Sequence, residues 1–318
     1  MLAVRPDVLL LDEPTSMLDA RSAEVARDAI LSVAEERTML VVEHRFEPWI
    51  DHVDRVVVIA KGGIIESDGS VADFLAGPTP RGVWMPGAPP PAPADVMGAL
   101  VTPDASPLPL IAEDVEVMLV SRTLRGAHRT PALRSFDGRF DPGHVSALVG
   151  PSGSGKSTSL AALGGFLRVD GGRITPDRSR MSSRDLASQV GWVPQNPEHM
   201  FLAHTVRDEV ELTARRLGRY VDIGACLDAF GLTALADTHP FRLSGGEKRR
   251  LAVLAGLAHR PGVILLDEPT VGQDPDSWAA IVGWLVSAAA AGAAVVAATH
   301  DSQLPSDAVT SIVAGVSR

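Results

Sequence analysis

A glycine-rich loop near the middle of the chain limits the folds that this sequence can adopt. It reads GPSGSGKS from Gly150 to Ser157, follows the apolar run Val145–Val149 and precedes a helix-like segment. Glycines at this spacing let backbone N–H groups surround a phosphate, and the start of the helix adds positive potential. A glycine-rich turn with an incidental lysine is the alternative, and the strand–turn–helix context argues against it. The loop therefore predicts a phosphate-binding site in an α/β fold.

The side chains of this loop have separate predicted tasks. Lys156 is expected to neutralise the β- and γ-phosphates of a nucleotide, and the Ser157 hydroxyl is expected to ligate Mg²⁺. The predicted nucleotide-binding residues of the loop are Gly150, Pro151, Ser152, Gly153, Ser154, Gly155, Lys156, Ser157 and Thr158.

Two adjacent acids follow a second apolar run farther along the chain. The run Val263–Leu266 leads directly into Asp267 and Glu268. A strand exit with a helix cap would explain the pair equally well if the pair stood alone. Together with the upstream loop, Asp267 is predicted to hold Mg²⁺ and Glu268 to polarise the water that attacks the γ-phosphate. Phosphoryl transfer needs little beyond such positioning and charge neutralisation.

A short motif between these elements carries a more specific resemblance. Leu243–Glu247 reads LSGGE and opens a helix with an apolar stripe, so the free N–H groups at its start offer a second anion site. An ordinary Ser-Gly helix start is the alternative. The motif resembles the signature of the ATP-binding cassette (ABC) ATPases. That resemblance implies that Ser244, Gly245, Gly246 and Glu247 contact the nucleotide of a second cassette, in a homodimer or on a companion chain.

The resemblance also implies a fold, cofactors and further site residues. The fold is that of phosphate-loop NTPases: α/β, with a RecA-like parallel sheet, helices on both faces and an ABC-type helical subdomain. The cofactors are ATP and Mg²⁺. Gln195 matches the glutamine that senses Mg²⁺ and the attacking water, and His300 matches the histidine that contacts the γ-phosphate. The implied catalytic set is Glu268, His300 and Gln195, and the implied Mg²⁺ ligands are Ser157, Gln195 and Asp267.

The region expected to contact adenine departs from the family pattern. Cassettes usually stack the base on an aromatic side chain before the phosphate loop, whereas residues 121–126 read SRTLRG. Leu124 or Arg125 is the expected substitute, although neither provides an aromatic face for stacking. Weaker adenine selectivity is therefore expected.

An internal repeat and a proline-rich segment organise the chain. Pro6–Thr15 and Pro261–Thr270 are identical at eight of ten positions, and residues 86–109 contain eight prolines. We expect residues 1–85 to be the C-terminal third of a first cassette without phosphate loop or signature, 86–109 an extended linker without helix, and 110–318 a complete second cassette. Residues 1–85 are expected to be poorly stable alone. We further expect Met1 to be an internal methionine or the product of a truncated gene.

Three segments resemble the energy-coupling factor subgroup of ABC importers. They are Gln195–Phe201, Val42–Arg45 and Val271–Asp274, and Asp274 itself matches the aspartate that communicates across a cassette dimer. In that subgroup two cassettes dock on a membrane scaffold, while a separate membrane subunit selects a vitamin or a cobalt or nickel ion. The resemblance implies that the chain is an ATPase peripheral to the cytoplasmic face of the membrane. The candidate contacts with the scaffold are Glu198, His199 and Phe201.

Composition excludes several other classes of protein. The net charge of −10 argues against non-specific nucleic-acid binding, and the apolar stretch Trp278–Ala298 is too interrupted for a spanning helix. Cys226 is the single cysteine, so an intramolecular disulfide is impossible. Tandem ABC ATPases acting on ribosomes or in DNA repair remain alternatives, although the proline-rich segment is unlike the charged helix of the ribosomal group. A non-hydrolysing fragment is the third alternative.

Overall fold

The structure, a computed structural model, describes residues 6–16, 18–34, 37–60, 62–105, 107–123, 126–306 and 308–311. The chain divides into two compact units. The first comprises residues 1–91 and 271–278, and the second comprises residues 92–270 and 279–318. Leu124 and Arg125, the expected adenine contacts, lie outside the described residues.

The first unit contains a parallel strand pair and an antiparallel hairpin. Strand β1 runs parallel to β2 with Asp12 opposite Val42, and β3 and β4 form the hairpin. The strands predicted at 8–11, 39–42 and 56–59 are confirmed. The elements are β1 (Val8–Asp12), α1 (Ala20–Ala34), β2 (Thr38–Val42), β3 (Arg55–Ala60), β4 (Ile64–Ser70) and α2 (Val71–Ala76).

One face of the β1–β2 pair is apolar and exposed. Val8, Leu10, Leu40 and Val42 each expose more than half of their surface, whereas Leu9 is buried. Alternate residues of a strand point to opposite faces, so the four exposed side chains follow directly from the strand pairing. Exposed apolar strand faces favour aggregation. The poor stability of residues 1–85 alone stays a prediction.

The second unit is built around a five-stranded parallel sheet with the order β12-β7-β11-β10-β9. Every residue of β10 and β11 is buried, as expected for parallel strands that are covered on both faces. The predicted strands at 145–149, 263–266 and 293–298 are confirmed within one residue at their ends. The strands are β7 (Val145–Val149), β9 (Val190–Val193), β10 (Val263–Asp267), β11 (Ala294–Ala298) and β12 (Ala308–Ser311).

This unit also contains a three-stranded antiparallel sheet, in which the strand order is β6-β5-β8. Its strands are β5 (Leu110–Thr123), β6 (Gly126–Phe140) and β8 (Gly171–Thr175). Buried side chains of β5 and β6, among them Leu110, Phe136 and Phe140, share one apolar core with Leu160 and with Leu265 of β10. This core fixes the helix after the glycine-rich loop against the parallel sheet. The remaining helices are α3 (Gly98–Val101), α4 (Lys156–Leu163), α5 (Ser183–Gln189), α6 (Val206–Leu217), α7 (Ile223–Ala229), α8 (Gly245–Leu257) and α9 (Pro275–Ala290).

The proline-rich segment contains one turn of helix, so the prediction of a segment without helix is wrong for 98–101. The stretch between Pro93 and Pro103 has no proline, which allows α3 to form there. Its residues Leu100 and Val101 are buried. Farther along, the Asp104 carboxylate binds two arginines of the second unit, so the end of the segment is fixed to that unit.

None of the helices in the described part of the chain combines the length and apolar composition needed to cross a lipid bilayer.

Candidate nucleotide site

The glycine-rich loop joins the end of β7 to the start of α4. Gly153 and Gly155 have φ values of +78° and +100°, a region that favours glycine. A Cβ atom at Gly155 would also lie 2.6 Å from the carbonyl oxygen of Ala132, which is too close for any other residue. The Ser154 hydroxyl is buried and has no hydrogen-bond partner within the described residues. The loop conformation thus depends on glycine where the sequence places it.

Lys156 lies over this loop with 8% of its surface exposed. Its Nζ donates to the carbonyl oxygens of Gly150 at 2.7 Å and Pro151 at 3.2 Å. Nζ also lies 3.1 Å from Nε2 of His300, the residue two positions after β11. The ammonium is therefore held by two backbone carbonyl oxygens and lies beside His300 at the edge where the parallel strands end.

Asp267 ends β10 beside the first turn of α4. The Ser157 side chain hydrogen-bonds to its carboxyl group, and burial raises the pKa of Asp267 against the opposing effects of Ser157 and Lys156. A hydroxyl and a carboxylate in contact are the hard oxygen donors that Mg²⁺ prefers. The residues present therefore fit a Mg²⁺ ion that is completed by nucleotide oxygens. The described residues contain no group of three or more His, Cys, Asp or Glu able to hold a metal by themselves.

Glu268 occupies a left-handed backbone conformation, with φ of +51°. Its backbone N–H donates to Ala298 at 2.8 Å, and its Oε2 accepts from the backbone N–H of His300 at 3.2 Å. Oε1 lies 3.6 Å from Nε2 of His300. Burial is the main cause that raises the pKa of Glu268 to about 7, and the nearby Asp267 adds to it. A carboxyl group with this pKa exchanges protons near neutral pH.

Gln195 follows β9, which pairs with β10 at the same edge of the sheet. Its side chain is exposed, and its backbone carbonyl accepts a hydrogen bond from Arg249 of α8. Arg249 also donates to the carbonyl oxygens of Pro194 at 3.1 Å and Asp267 at 3.4 Å. Sequence reasoning missed Arg249, which ties the Gln195 loop to the acid pair. No signal in the sequence marks Arg249, because Lys248 and Arg250 flank it in the chain.

The LSGGE motif begins α8 through a complete capping box. The Ser244 hydroxyl accepts from the Glu247 backbone N–H at 3.3 Å, and the Glu247 carboxylate accepts from the Ser244 N–H at 2.8 Å. Ser244 and Gly245 are nevertheless exposed. A Cβ atom at Gly245 would have no neighbour within 4 Å. Lys156 and His300 are thus in direct contact, whereas the start of α8 is exposed on the surface.

Comparison with known proteins agrees with this arrangement. Residues 133–271, which contain the glycine-rich loop, Gln195, the LSGGE motif and the acid pair, match the family model described as "ABC transporter". A putative ABC transporter ATP-binding protein of Pyrococcus furiosus is 37% identical over 182 residues, which are 55% of this chain and 70% of that protein. The chain belongs to the ABC transporter ATP-binding proteins.

One relative of this ABC protein, YkoD, is longer than the chain itself. The putative HMP/thiamine import ATP-binding protein YkoD of Bacillus subtilis is 32% identical over 98% of this chain, which spans 61% of YkoD. The energy-coupling factor transporter ATP-binding protein EcfA of Methanothermobacter thermautotrophicus is 34% identical over 55% of this chain and 60% of EcfA. The chain therefore spans about three fifths of YkoD, and the match to EcfA covers about half of the chain.

Solved ABC cassettes share the fold of about two thirds of the chain. The dimeric cassette MJ0796 has a TM-score of 0.56 at 23% identity, covering 65% of this chain and 95% of that one. CbiO1 of Clostridium perfringens, part of the transporter complex CbiONQ, has a TM-score of 0.50 at 27% identity, covering 64% of this chain and 84% of CbiO1. The predicted fold class, that of phosphate-loop NTPases, is confirmed.

Of the three candidate scaffold contacts after Gln195, two are exposed and one is buried. Glu198 is exposed and bonds to Lys248, and His199 is exposed as well. Phe201 is only 7% exposed and packs edge-on against Phe241, so its prediction as a surface contact is wrong. The neighbouring Leu202 is 80% exposed instead.

The first unit repeats part of the cassette geometry. Glu13 has φ of +43° and donates from its backbone to Val42 at 2.9 Å, as Glu268 does to Ala298. Its Oε1 lies 3.2 Å from Nε2 of His44, and this hydrogen bond lowers the pKa of Glu13 and raises that of His44. The internal repeat is thus present in three dimensions. In the same unit, the Asp274 carboxylate accepts from the backbone N–H and the hydroxyl of Ser277 at the start of α9.

Proposed function

We propose that this chain binds and hydrolyses ATP with Mg²⁺ and supplies the energy for a membrane importer of the energy-coupling factor type. The observation that carries the proposal is the convergence of Lys156, Ser157, Asp267, Glu268 and His300 at one edge of the parallel sheet. These are the cation, the hydroxyl, the two carboxyls and the imidazole that phosphoryl transfer uses.

Nucleotide binding would begin at the loop 150–158. Its backbone N–H groups and the start of α4 favour the phosphates, and Lys156 would exchange its contacts with Gly150 and Pro151 for contacts with phosphate oxygens. Ser157 and Asp267 are already in contact, and with Gln195 they would hold Mg²⁺. Bound Mg²⁺ would neutralise charge that develops on the phosphate oxygens.

The proton transfers of hydrolysis would fall to Glu268. Burial brings its pKa to about 7, so the carboxylate can orient a water molecule and take a proton from it near neutral pH. The backbone N–H of His300 fixes one carboxylate oxygen of Glu268. The imidazole of His300 lies beside both Glu268 and Lys156, where it would contact the γ-phosphate.

A second cassette would complete the site. The start of α8 is exposed at Ser244 and Gly245, so residues 244–247 can approach the nucleotide of another cassette without rearrangement of their own helix. Helix N-termini favour anions, which suits contact with a γ-phosphate. The two cassettes would come from two copies of the chain or from a companion chain.

The names of the relatives support the proposed type of transporter. YkoD is named for HMP/thiamine import, EcfA for the energy-coupling factor transporter, and CbiO1 belongs to the complex CbiONQ. We therefore place the chain on the cytoplasmic face of a membrane, docked on a scaffold subunit beside a substrate-binding subunit. Glu198, His199 and the exposed Leu202 are the proposed contacts with the scaffold. Vitamins or cobalt and nickel ions are the proposed cargo.

Hydrolysis is tested by measuring phosphate release from MgATP by the purified full chain. Turnover per chain should rise with protein concentration if two chains form each site. No phosphate release above background at any concentration would contradict the proposal for the chain acting alone and would favour a non-hydrolysing fragment.

The transporter assignment is tested by co-expression with the membrane subunits encoded nearest to this chain's gene. The full chain should co-purify with them, and Leu202→Asp should weaken this association, while Leu119→Asp, a change at another exposed apolar residue, should not. Co-purification with ribosomes in place of membrane proteins would overturn the assignment.

A further inference from the structure

A cavity of about 620 Å³ lies at the end of α4 opposite to the phosphate loop. Ala162 and Leu163 of the last turn of α4 line it, together with residues of the 165–169 turn and the 177–180 loop. One wall is apolar and includes Phe166 and Leu167. None of these residues contributes to the nucleotide site described above.

Arg178 lines this cavity with an almost fully buried side chain. It is 5% exposed, and its Nε and Nη1 atoms are buried without a hydrogen-bond partner among the described residues. Its backbone is close to the turn after α4 because Gly165 lacks a side chain. A Cβ atom there would lie 2.8 Å from Cβ of Arg178, and Gly165 has φ of +79°. The local fold therefore places Arg178 firmly in the wall.

A buried guanidinium without a partner is energetically unfavourable because arginine stays charged in proteins. Arg249 shows the usual solution, since at the same 5% exposure it donates to three carbonyl oxygens. Arg173, in the same cavity, pairs with Glu113 at 2.5 Å. Burial lowers the pKa of Arg178. Arg178 thus lacks, among the described residues, the hydrogen-bond partners that the equally buried Arg249 has.

The other charges around the cavity are mainly positive. Arg168 and Arg180 line it and are exposed, so they can turn toward a ligand. Asp177 is the carboxylate of the lining, and its Oδ1 accepts a hydrogen bond from the Ser179 backbone N–H at 2.9 Å. With Arg173 already paired, the cavity offers three arginines against one carboxylate. Such a site favours an anion.

We propose that this cavity binds the anionic group of a small molecule, a phosphate or a carboxylate, with Arg178 as its main ligand. Arg168 and Arg180 add charge from the rim, and the wall formed by Phe166 and Leu167 accepts an apolar part of the ligand. Helix α4 has the phosphate loop at one end and this cavity at the other. The site is therefore positioned to influence nucleotide binding through α4. Binding of an anion at this site does not itself depend on ATP hydrolysis.

The test uses the full chain with its phosphate loop filled by Mg²⁺ and a non-hydrolysable ATP analogue, so that Lys156 does not compete for the probe. Equilibrium dialysis measures binding of radiolabelled inorganic phosphate, and calorimetry measures binding of acetate, both with chloride balancing the ionic strength. Repeating the dialysis with nucleotide-free Lys156→Ala chain makes the result independent of the proposed function. We expect saturable binding of at least one probe, and the stronger probe identifies phosphate or carboxylate chemistry.

The variant Arg178→Met should weaken this binding about tenfold or more, because charge-assisted hydrogen bonds are lost. Arg216→Met is the matched control, since it removes an exposed arginine from α6 outside the cavity, and it should bind as the unmodified chain does. If Arg178→Met does not fold, Arg178→Lys keeps the charge, loses the planar fork and should still bind phosphate more weakly.

Three results would overturn the proposal. The first is no saturable binding of either probe at millimolar concentration. The second is equal binding by folded Arg178→Met or Arg178→Lys and by the unmodified chain. The third is that neither anion binds while Arg178→Met abolishes co-purification with the membrane subunits. That outcome would assign Arg178 to a protein contact.

Discussion

Nζ of Lys156 lies 3.1 Å from Nε2 of His300, so the phosphate-loop lysine and the histidine after β11 are direct neighbours. An ammonium group can only donate, so a hydrogen bond between these two atoms requires Nε2 of His300 to be the acceptor. A γ-phosphate that draws Lys156 toward itself would release Nε2 from this role. Nucleotide binding would therefore change the hydrogen bonding of His300 through its contact with Lys156.

The first prediction concerns Lys156 itself. Lys156→Ala should raise the dissociation constant for MgATP by about 100-fold or more, because the triphosphate loses its main cationic partner. Titration of the full chain with a fluorescent ATP analogue measures this. Arg207→Ala removes an exposed cation from α6 and should leave the affinity unchanged. Equal affinities in all three proteins would show that the loop does not bind the nucleotide.

The second prediction separates binding from hydrolysis at Glu268. Glu268→Gln should bind MgATP as the unmodified chain does but release phosphate about 100-fold more slowly, since an amide cannot take the proton. If two chains form each site, the variant should accumulate as an ATP-dependent dimer in size-exclusion chromatography. Gly245→Arg in the same background places a long side chain at the exposed start of α8 and should prevent that dimer. A monomer with and without ATP would contradict the two-chain site.

The third prediction concerns the end of the proline-rich segment. The Asp104 carboxylate binds Nε of Arg219 at 2.7 Å and Nη2 of Arg260 at 2.8 Å. Asp104→Asn leaves two partly buried guanidinium groups with weaker partners and should lower the midpoint of thermal unfolding by about 2–6 °C. Asp95→Asn, which changes an exposed acid of the same segment, should have no measurable effect. Identical midpoints for the two variants would show that the segment is not held through Asp104.

The fourth prediction is a pH dependence of stability through His259. Burial and the neighbouring Arg219 lower the pKa of His259 to about 4, against an ordinary value of 6.5. The folded state thus binds this proton less readily than the unfolded state, so the stabilising effect is complete above pH 6.5 and is lost as the pH falls toward 4. The loss amounts to about 3 kcal/mol in the free energy of unfolding.

Chemical denaturation between pH 7 and pH 4.5 measures this effect. His259→Gln has no titrating ring and should lose less stability over that interval than the unmodified chain. Parallel pH profiles for the two proteins would contradict the prediction.

The parts of the site that follow strand ends could be predicted from the sequence. Asp267 and Glu268 come directly after one apolar run and His300 comes two positions after another, and the carboxyl ends of parallel strands share one edge of a sheet. The fold class alone therefore predicts that these three side chains lie close together. Lys156 and Ser157 are consecutive in the chain, which fixes their separation as well.

Contacts that depend on packing could not be predicted in the same way. Arg249 belongs to a KRR sequence that resembles an exposed charged face, and only the packing of α8 reveals its three carbonyl partners. Phe201 and Leu202 are adjacent after a short 3₁₀ turn, so no periodicity decides which of the two is buried. Likewise, the composition of 86–109 gave no sign that Leu100 and Val101 would be buried.

The open space around Gly245 has a consequence for mutational screens. Because a Cβ atom there would touch nothing within 4 Å, Gly245→Ala should leave expression level and melting temperature unchanged. A survey of variants scored by abundance would therefore class this glycine as replaceable. The same survey scored by growth on the transported nutrient would class it as essential if a second cassette closes over it. A difference between the two scores at this position would detect the partner surface without any structure of the complex.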